Sequence, residues 1–377
     1  MKKCIIIPDS FKGTLSAIRV CDIMKDSVKA IYPDCAVSAI PIADGGEGTA
    51  DTFLYALGAE KVTVAAPGPY LDRVPAYYAR IDRTAIIETA SVAGLPMVEG
   101  RMNPCKTTTY GLGVLIHHAI ESGCTNIVLG LGGSCTNDAG IGMARALGTV
   151  FLDRNGREFI PDADQITEIS AMDISATEEL MEQVTVTAMC DIDNPLYGEK
   201  GAAYVFAPQK GADAEMVKLL DDNLKAFAQL AKNCRGRDIS ELPGAGAAGG
   251  LGAGTVVFLK AELKSGIETI LELVHFDELL QDTDMVFTGE GKIDHQSLRG
   301  KAVIGIARHA AKKQVPVTAV VGSIGEGAEE AYELGVSSIF SINRSPMEFE
   351  QSKSFSDINL RKTMDSIIRF YKSAVKQ

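Results

Sequence analysis

The stretch IVLGLGGSCTNDAGIGMARALG, residues 127–148, joins an apolar run to a helical pattern through a turn of glycines and small polar residues. This pattern predicts a buried strand at 126–131 and a helix at 138–148. A strand, a tight turn and a helix in succession are typical of α/β proteins. Backbone N–H groups of the first helical turn would bind an anion, so the stretch predicts a phosphate-binding turn with Thr136 or Asn137 as the helix cap. A tight connection with an ordinary cap is the alternative.

Both ends of the chain show the same alternation of strand and helix. Apolar runs near residues 5, 38, 286, 318 and 339 predict five parallel strands, and such strands with helices between them predict a doubly wound sheet. The middle of the chain has shorter extended runs separated by proline and glycine. We therefore expect a discontinuous domain of residues 1–60 and 262–377, with a second α/β domain, 61–261, inserted into it. Two sequential domains divided near 150 or 240 are the alternative.

The composition excludes several classes of function. The 377-residue chain carries a net charge of −12, has 6% aromatic residues and lacks tryptophan, which disfavours nucleic-acid binding. No window of 18 apolar residues occurs, and the apolar run after Met1 is too short for a signal peptide, so we expect a cytoplasmic protein without a membrane span. Eight cysteines without CxxC spacing are expected to be free thiols.

A second glycine-rich stretch, GAGAAGGLGAG, occupies residues 244–254. It contains the dinucleotide-binding pattern GxGxxG, but no strand precedes it, and the TVVFL run at 255–259 predicts a strand where that motif requires a helix. The pattern of the common phosphate loop, GxxxxGK[ST], is absent. The open backbone of 244–254 predicts a second nucleotide-facing loop, with a hinge between domains as the alternative. The run at 202–207 is also expected to be extended.

Polar and charged residues follow the predicted strands, where open α/β sheets bind their ligands. A lysine there could pair with a substrate carboxylate or a transferring phosphoryl group, and carboxylates could hold Mg²⁺ or accept a proton from a hydroxyl. A salt bridge or a helix N-terminal acid is the alternative for each. The candidates in these loops are Ser10, Lys12, Asp44, Glu47, Asp191, Asn194, Glu290 and Asp294.

Six collinear motifs together resemble the bacterial glycerate kinase family, in the type that carries an inserted second domain. They are DSFKGT (9–14), ADGGEGT (43–49), GLGGSCTNDAGIGM (130–143), CDIDNPL (190–196), GAAGGLG (246–252) and TGEGKIDHQSLRGK (288–301). The resemblance covers nearly the whole chain. Cys135 stands where the family often has alanine, a change between small residues that we expect to be neutral.

The resemblance implies a flavodoxin-like doubly wound parallel-sheet domain with a second α/β domain inserted and the active site in the cleft between them. It also implies ATP-dependent phosphorylation of D-glycerate, in this branch usually on the 2-hydroxyl, which yields 2-phospho-D-glycerate and ADP. The alternatives are a kinase that forms 3-phosphoglycerate and a non-catalytic protein that binds sugar acids. An NAD-dependent dehydrogenase is disfavoured because the GxGxxG pattern lies in the wrong context.

Phosphoryl transfer needs positioning and charge stabilisation, and on the resemblance we assign roles accordingly. The expected catalytic residues are Lys12, Asp191 and Asp294, with Asp191 also the expected Mg²⁺ ligand. The residues expected to bind D-glycerate are Ser10, Asp44, Glu47 and Asn194. The residues expected to bind ATP are Gly132, Gly133, Ser134, Thr136, Gly249, Gly250 and Glu290.

Overall fold

The computed structural model describes residues 1–43, 48–295, 297–299, 302–345 and 348–375. The chain divides into two compact units. The first contains Met1–Ala43, Tyr55–Leu57 and the described residues from Ile267 onward, and the second contains the described residues of Asp44–Leu54 and Gly58–Gly266. In this division residues 48–54 lie in the second unit, whereas the sequence assigns them to the outer domain.

The strands of the described residues are numbered in chain order. They are β1 Lys3–Ile6, β2 Ala36–Ala39, β3 Glu60–Pro67, β4 Arg73–Ile81, β5 Thr84–Glu88, β6 Asn126–Gly130, β7 Val150–Leu152, β8 Glu158–Phe159, β9 Ala171–Asp173, β10 Thr185–Met189, β11 Glu262–Lys264, β12 Met285–Thr288, β13 Lys292–Ile293, β14 Val317–Val321, β15 Ser323–Ile324 and β16 Ser338–Ser341.

The α-helices of the same residues are α1 Ala17–Ile31, α2 Thr49–Leu57, α3 Ala90–Ala93, α4 Tyr110–Glu121, α5 Ile141–Ala146, α6 Ser175–Leu180, α7 Ala202–Phe206, α8 Ala214–Arg235, α9 Ala247–Leu259, α10 Gly266–Leu273, α11 Phe276–Leu279, α12 Ala302–Lys312, α13 Phe349–Ser352 and α14 Ser356–Val375. Short 3₁₀ helices lie at Leu95–Val98, Ala163–Glu168, Pro208–Lys210, Ser297–Arg299, Ala328–Tyr332 and Lys353–Phe355.

The first unit is built on a five-stranded sheet in which every neighbouring pair is parallel. The spatial order is β16-β14-β12-β1-β2, which is the flavodoxin-like order of a doubly wound sheet. All residues of β12 and β14 are buried, because helices cover both faces of such a sheet. The predicted five-stranded doubly wound sheet is confirmed.

The second unit contains a mixed six-stranded sheet in the order β11-β10-β6-β5-β4-β3. Strands β5, β6, β10 and β11 run parallel to one another, while β4 is antiparallel to β5 and β3. A smaller antiparallel sheet, β8-β7-β9, lies in the same unit. Parallel strands joined through helices make this unit the second α/β domain that the sequence predicts.

Two predicted strands in the second unit are wrong. The run expected to be extended at 202–207 forms helix α7, and the TVVFL run at 255–259 forms the end of helix α9. Thr255, Val257 and Leu259 are all buried, so this part of α9 has no polar face. A short apolar run without a polar face shows no helical periodicity, and its β-branched residues then indicate a strand.

Candidate functional site

In the first unit, the carboxyl ends of β1, β12 and β14 lead into loops that contact one another. The Asp9 N–H donates to the Gly289 carbonyl at 2.8 Å, and the Gly322 N–H donates to the Glu290 carbonyl at 3.0 Å. A Cβ on Gly291 would lie 3.1 Å from the backbone nitrogen of Lys12. Because β12 lies between β1 and β14, the loops with Ser10, Lys12, Glu290 and Asp294 share one edge of the sheet.

The two acids of this edge differ in their surroundings. Glu290 is buried, with 7% of its surface exposed. The Asp294 carboxylate accepts from Lys292 Nζ at 2.9 Å, and its side chain is 14% exposed whereas that of Lys292 is 60% exposed. The short strands β13 and β15 pair beside them and hold the loop in place.

In the second unit, a pocket of about 410 Å³ opens at the carboxyl ends of β6 and β10. This is the position at which parallel α/β sheets bind ligands. The pocket brings together four residues that the sequence predicts as functional, which are Gly132, Gly133, Ser134 and Asp191. Lys210 and Ala248 also line it.

The turn after β6 presents open backbone donors to this pocket. A short bridge holds the turn, since the Leu95 N–H donates to the Gly133 carbonyl at 2.9 Å and the Cys135 N–H donates to the Ala93 carbonyl at 2.8 Å. Gly133 has a φ of +74°, which a glycine adopts without strain. Within the described part of the chain, the N–H groups from Gly132 to Ser134 donate to no protein acceptor. Successive open N–H groups of this kind form a concave anion site.

The predicted role of the helix N-terminus is wrong. Helix α5 begins at Ile141, and the Asp138 carboxylate already accepts from the N–H groups of Gly140 at 3.1 Å and Gly142 at 3.3 Å. Thr109 Oγ1 accepts from the Met143 N–H at 2.9 Å. An acid of the same chain therefore occupies the position that an incoming anion would need. Any phosphate binding by this turn must use the backbone before the helix.

Asp138 itself is 1% exposed and also accepts from Thr109 N at 2.8 Å and Thr109 Oγ1 at 2.9 Å. Burial raises the pKa of its carboxyl group, and these hydrogen bonds oppose that shift. Gly140 is the N-terminal cap position of α5, so the expected capping by Thr136 or Asn137 is wrong as well. The sequence places the start of this helix too early, because Asp138 and Gly140 still belong to the turn that precedes it.

Thr136 lies behind the turn rather than along the pocket wall. It is fully buried, and its carbonyl accepts from Lys210 Nζ at 2.6 Å. Among the described residues, neither the Thr136 hydroxyl nor the side-chain amide of the adjacent Asn137 has a hydrogen-bond partner.

Gly249 and Gly250 support the same turn from behind. Both are buried with φ of +71° and +87°, and a Cβ on Gly249 would lie 2.1 Å from the Thr136 carbonyl oxygen. The Ala139 N–H donates to the Gly249 carbonyl at 3.1 Å. The pocket wall beside them is formed by Ala247 and Ala248. Gly249 and Gly250 are thus close to the expected nucleotide site but contact its backbone rather than its cavity.

Asp191 follows β10 and is the acid of the pocket wall. It is exposed, and its Oδ1 accepts from Ser265 Oγ at 3.0 Å and from the Gly266 N–H at 2.9 Å. Asn194, three residues later, instead holds its own loop, because its Nδ2 donates to the Lys200 carbonyl at 2.8 Å. No group of three or more His, Cys, Asp or Glu side chains that could hold a metal occurs in the described ranges. Asp44 and Glu47 lie outside the described residues.

Sequence reasoning missed Lys210. This residue ends the 3₁₀ helix Pro208–Lys210, is 3% exposed and lines the pocket. Its Nζ donates to Ser134 Oγ at 2.9 Å. Burial lowers the pKa of this ammonium group to about 8, partly offset by nearby Cys135 and Asp138. The available signal was PQKG (208–211), a lysine beside a glycine between two predicted elements.

Sequence reasoning also missed Glu88, the last residue of β5. It is 5% exposed, and its carboxylate accepts from the N–H groups of Gly48 at 3.2 Å and Ala50 at 2.5 Å. These N–H groups belong to the start of helix α2, where a negative charge is favourable. The signal was an acid that directly follows the buried apolar run of β5.

A flavodoxin-like sheet, a second α/β unit and a strand-end pocket with open N–H donors define a class of α/β proteins that bind small anionic ligands. The model of the glycerate kinase family matches residues 4–372, and the chain belongs to this family. Membership makes it an enzyme, a phosphotransferase with an alcohol group of a small molecule as acceptor. No helix in the described part of the chain is both long and apolar enough to cross a membrane.

Similar proteins agree with this membership. A glycerate kinase of Bacillus cereus is 40% identical over 375 residues, which cover 99% of this chain and 98% of that protein. A glycerate 2-kinase of Escherichia coli is 39% identical over 343 residues, or 90% of each chain. A crystal structure of a protein provisionally named glycerate kinase 2, from Salmonella typhimurium LT2, has a TM-score of 0.89 and 36% identity over 100% of both chains.

Proposed function

We propose that this enzyme transfers the γ-phosphoryl group of ATP to the 2-hydroxyl of D-glycerate and forms 2-phospho-D-glycerate and ADP. Family membership supports glycerate as the acceptor, and the relative named glycerate 2-kinase supports the 2-hydroxyl. The observation that carries the proposal is the pocket of the second unit, where open backbone N–H groups and a carboxylate line one cavity.

The turn from Gly132 to Ser134 binds phosphate oxygens of the nucleotide in this proposal. Its backbone N–H groups have no acceptor among the described residues, and they face a cavity of about 410 Å³. Donors fixed before the reaction stabilise charge that develops on the transferring phosphoryl group without any cost of reorganisation.

Asp191 accepts the proton of the glycerate hydroxyl or holds Mg²⁺. Two donors, Ser265 Oγ and the Gly266 N–H, fix its Oδ1 and thereby orient the carboxylate at the pocket wall. An exposed carboxylate beside a phosphate site fits Mg²⁺, which takes one or two protein carboxylates together with phosphate oxygens and water. When bound, Mg²⁺ neutralises negative charge on the phosphates.

In the first unit, Ser10 and Lys12 bind the glycerate carboxylate or the moving phosphoryl group, and Glu290 and Asp294 line the same edge. The contact between their loops at the ends of β1 and β12 supports a common role. The prediction that both sets of residues act on one substrate rests on the sequence resemblance.

The direct test is ADP release from MgATP with D-glycerate, compared with L-glycerate, glycolate and no acceptor. We expect turnover with D-glycerate, and phosphorus NMR of the product should show 2-phosphoglycerate. A signal of 3-phosphoglycerate would contradict the assigned hydroxyl. Absence of turnover with every acceptor, despite folded protein, would contradict the kinase activity.

Two substitutions test the assigned residues. We expect Asp191→Asn and Lys12→Ala each to lower kcat by ~10²-fold or more, the size of losing an acid–base or electrostatic group. Asp193→Asn is the matched control, because Asp193 is an exposed acid of the same loop that does not line the pocket. Equal activities of Asp191→Asn and Asp193→Asn would remove Asp191 from the mechanism.

A further inference from the structure

The pocket contains a buried cation that forms no ion pair within the described protein. Lys210 is 3% exposed, and its ammonium nitrogen donates to Ser134 Oγ at 2.9 Å and to the Thr136 carbonyl at 2.6 Å. Both acceptors are uncharged. An ammonium group has three N–H donors, so one remains after these two contacts. Within the ranges that the structure describes, Lys210 forms no ion pair with a carboxylate.

The groups around Lys210 compensate this charge only in part. The nearby Cys135 thiol is buried, which raises its pKa to about 11 and keeps it neutral at physiological pH. Asp138 acts from further away, and its two oxygens already accept from Thr109, Gly140 and Gly142. Asp191 lines the pocket together with Lys210, and its carboxylate is exposed to solvent. Buried charges in proteins are normally paired, so this site calls for an anion from outside.

We propose that Lys210 is the nucleotide-binding cation of this pocket and that its remaining N–H, with the backbone N–H groups of Gly132–Ser134, binds a phosphate oxygen of ATP. The inference rests on the proposed function, in which the pocket takes the phosphates. It deepens that function by assigning the positive charge that a phosphate site in an acidic chain requires. Lys210 also positions the turn, because its other two donors hold Ser134 and Thr136.

A pH dependence follows from the environment of the group. Without ligand the buried ammonium has a pKa of about 8, so above this pH the empty pocket holds a neutral amine. A bound phosphate favours the protonated form and raises the pKa again. Affinity for ATP therefore falls as pH rises above about 8, by at most about tenfold per unit, and binding near pH 8 takes up a proton.

The competing explanation is a purely structural lysine that holds the turn through Ser134 and Thr136. That role also predicts a loss of stability on substitution, but it predicts neither proton uptake nor a pH-dependent affinity. The readout must therefore be binding as a function of pH.

The experiment is calorimetric titration of the full chain with MgATP, tripolyphosphate and D-glycerate between pH 7 and 9.5. We compare the wild type with Lys210→Met and with Lys218→Met, which removes an exposed lysine on α8. At pH 7 we expect Lys210→Met to bind MgATP and tripolyphosphate about 10- to 100-fold more weakly, the size of one charge-assisted hydrogen bond. Lys218→Met should bind as the wild type does.

The wild type should lose affinity above pH 8 and take up a proton near that pH, and Lys210→Met should do neither. Equal affinity of Lys210→Met and the wild type, or a weakening confined to D-glycerate, would overturn the proposal. If Lys210→Met does not fold, the wild-type series decides, because a flat affinity above pH 8 would also overturn it. Failure of the proposed function is seen separately, as wild-type protein that binds MgATP yet releases no ADP with D-glycerate.

Discussion

Substitution of Gly249 by alanine tests whether the second glycine-rich stretch supports the phosphate turn from behind. Gly249 has a φ of +71°, and a Cβ there would lie 2.1 Å from the Thr136 carbonyl oxygen and 2.5 Å from the Asn137 Cα. Both atoms belong to backbone, so a side-chain rotation cannot relieve the overlap. The segment from Thr136 to Ala139 has to move away from Gly249.

Two contributions make up the expected loss of stability. Alanine in the left-handed region costs about 1–2 kcal/mol, since its Cβ approaches the following carbonyl. Overpacking against buried backbone adds about 1–3 kcal/mol. We expect Gly249→Ala to lower the free energy of unfolding by about 2–5 kcal/mol in total.

Gly156→Ala is the matched control, because Gly156 has nearly the same φ, +72°, and no atom lies within 4 Å of its added Cβ. It should lose only the backbone contribution. Urea unfolding can be followed by circular dichroism, since the chain has no tryptophan for fluorescence. Gly249→Ala should also raise KM for MgATP, because the displaced turn carries Ser134 and the carbonyl acceptor of Lys210. Equal stabilities of the two variants would refute the reasoning.

Two further predictions concern buried and paired ionisable groups. Asp138→Asn should lower the free energy of unfolding by about 1–3 kcal/mol. Both carboxylate oxygens accept from backbone N–H groups, so in either orientation the asparagine NH₂ group would face an N–H donor. The control Asp153→Asn, at an exposed turn, should lose less stability in the same urea assay. Burial of His309 opposes its protonation, but ion pairs with Asp277 at 2.8 Å and Glu268 at 3.1 Å outweigh burial and raise its pKa above 6.5. A raised pKa stabilises the fold fully below pH 6.5 and no longer above the raised value, so His309→Asn should destabilise the protein more near pH 6 than near pH 9. Equal losses at the two pH values would contradict the pairing.

Much of the fold follows from local patterns along the chain. The apolar runs at β1, β2, β12, β14 and β16 are short, lie between helical patterns and form parallel strands, so their length and spacing identify the doubly wound sheet. The central strands β1, β12 and β14 are buried, whereas the edge strands β2 and β16 are partly exposed. Asn155-Gly156, between β7 and β8, is likewise a local hairpin signal, and Gly156 has the positive φ of +72° that such a turn requires. Where an apolar run had no polar face, as at the end of α9, the local pattern did not separate helix from strand.

Part of the candidate site was also readable. Gly132, Gly133, Ser134 and Asp191 follow β6 and β10, which are parallel neighbours in one sheet. Because the carboxyl ends of parallel strands meet at one edge, their positions after two predicted strands are consistent with one shared pocket. The same reasoning predicts the grouping of Ser10, Lys12, Glu290 and Asp294 in the first unit.

The sequence by itself therefore determined the five strands of the first unit, the glycine turn after β6 and the acid of the pocket, since each depends on residues close together in the chain. Only the tertiary structure decided which partners these groups have. Lys210 reaches Ser134 from 76 residues away, and Glu88 reaches Ala50 from 38 residues away. The Asp138 carboxylate occupies the helix N-terminus through Gly140 and Gly142, which a local pattern reads equally well as open. Charge compensation and burial depend on distance in space, and no periodicity along the chain encodes that distance.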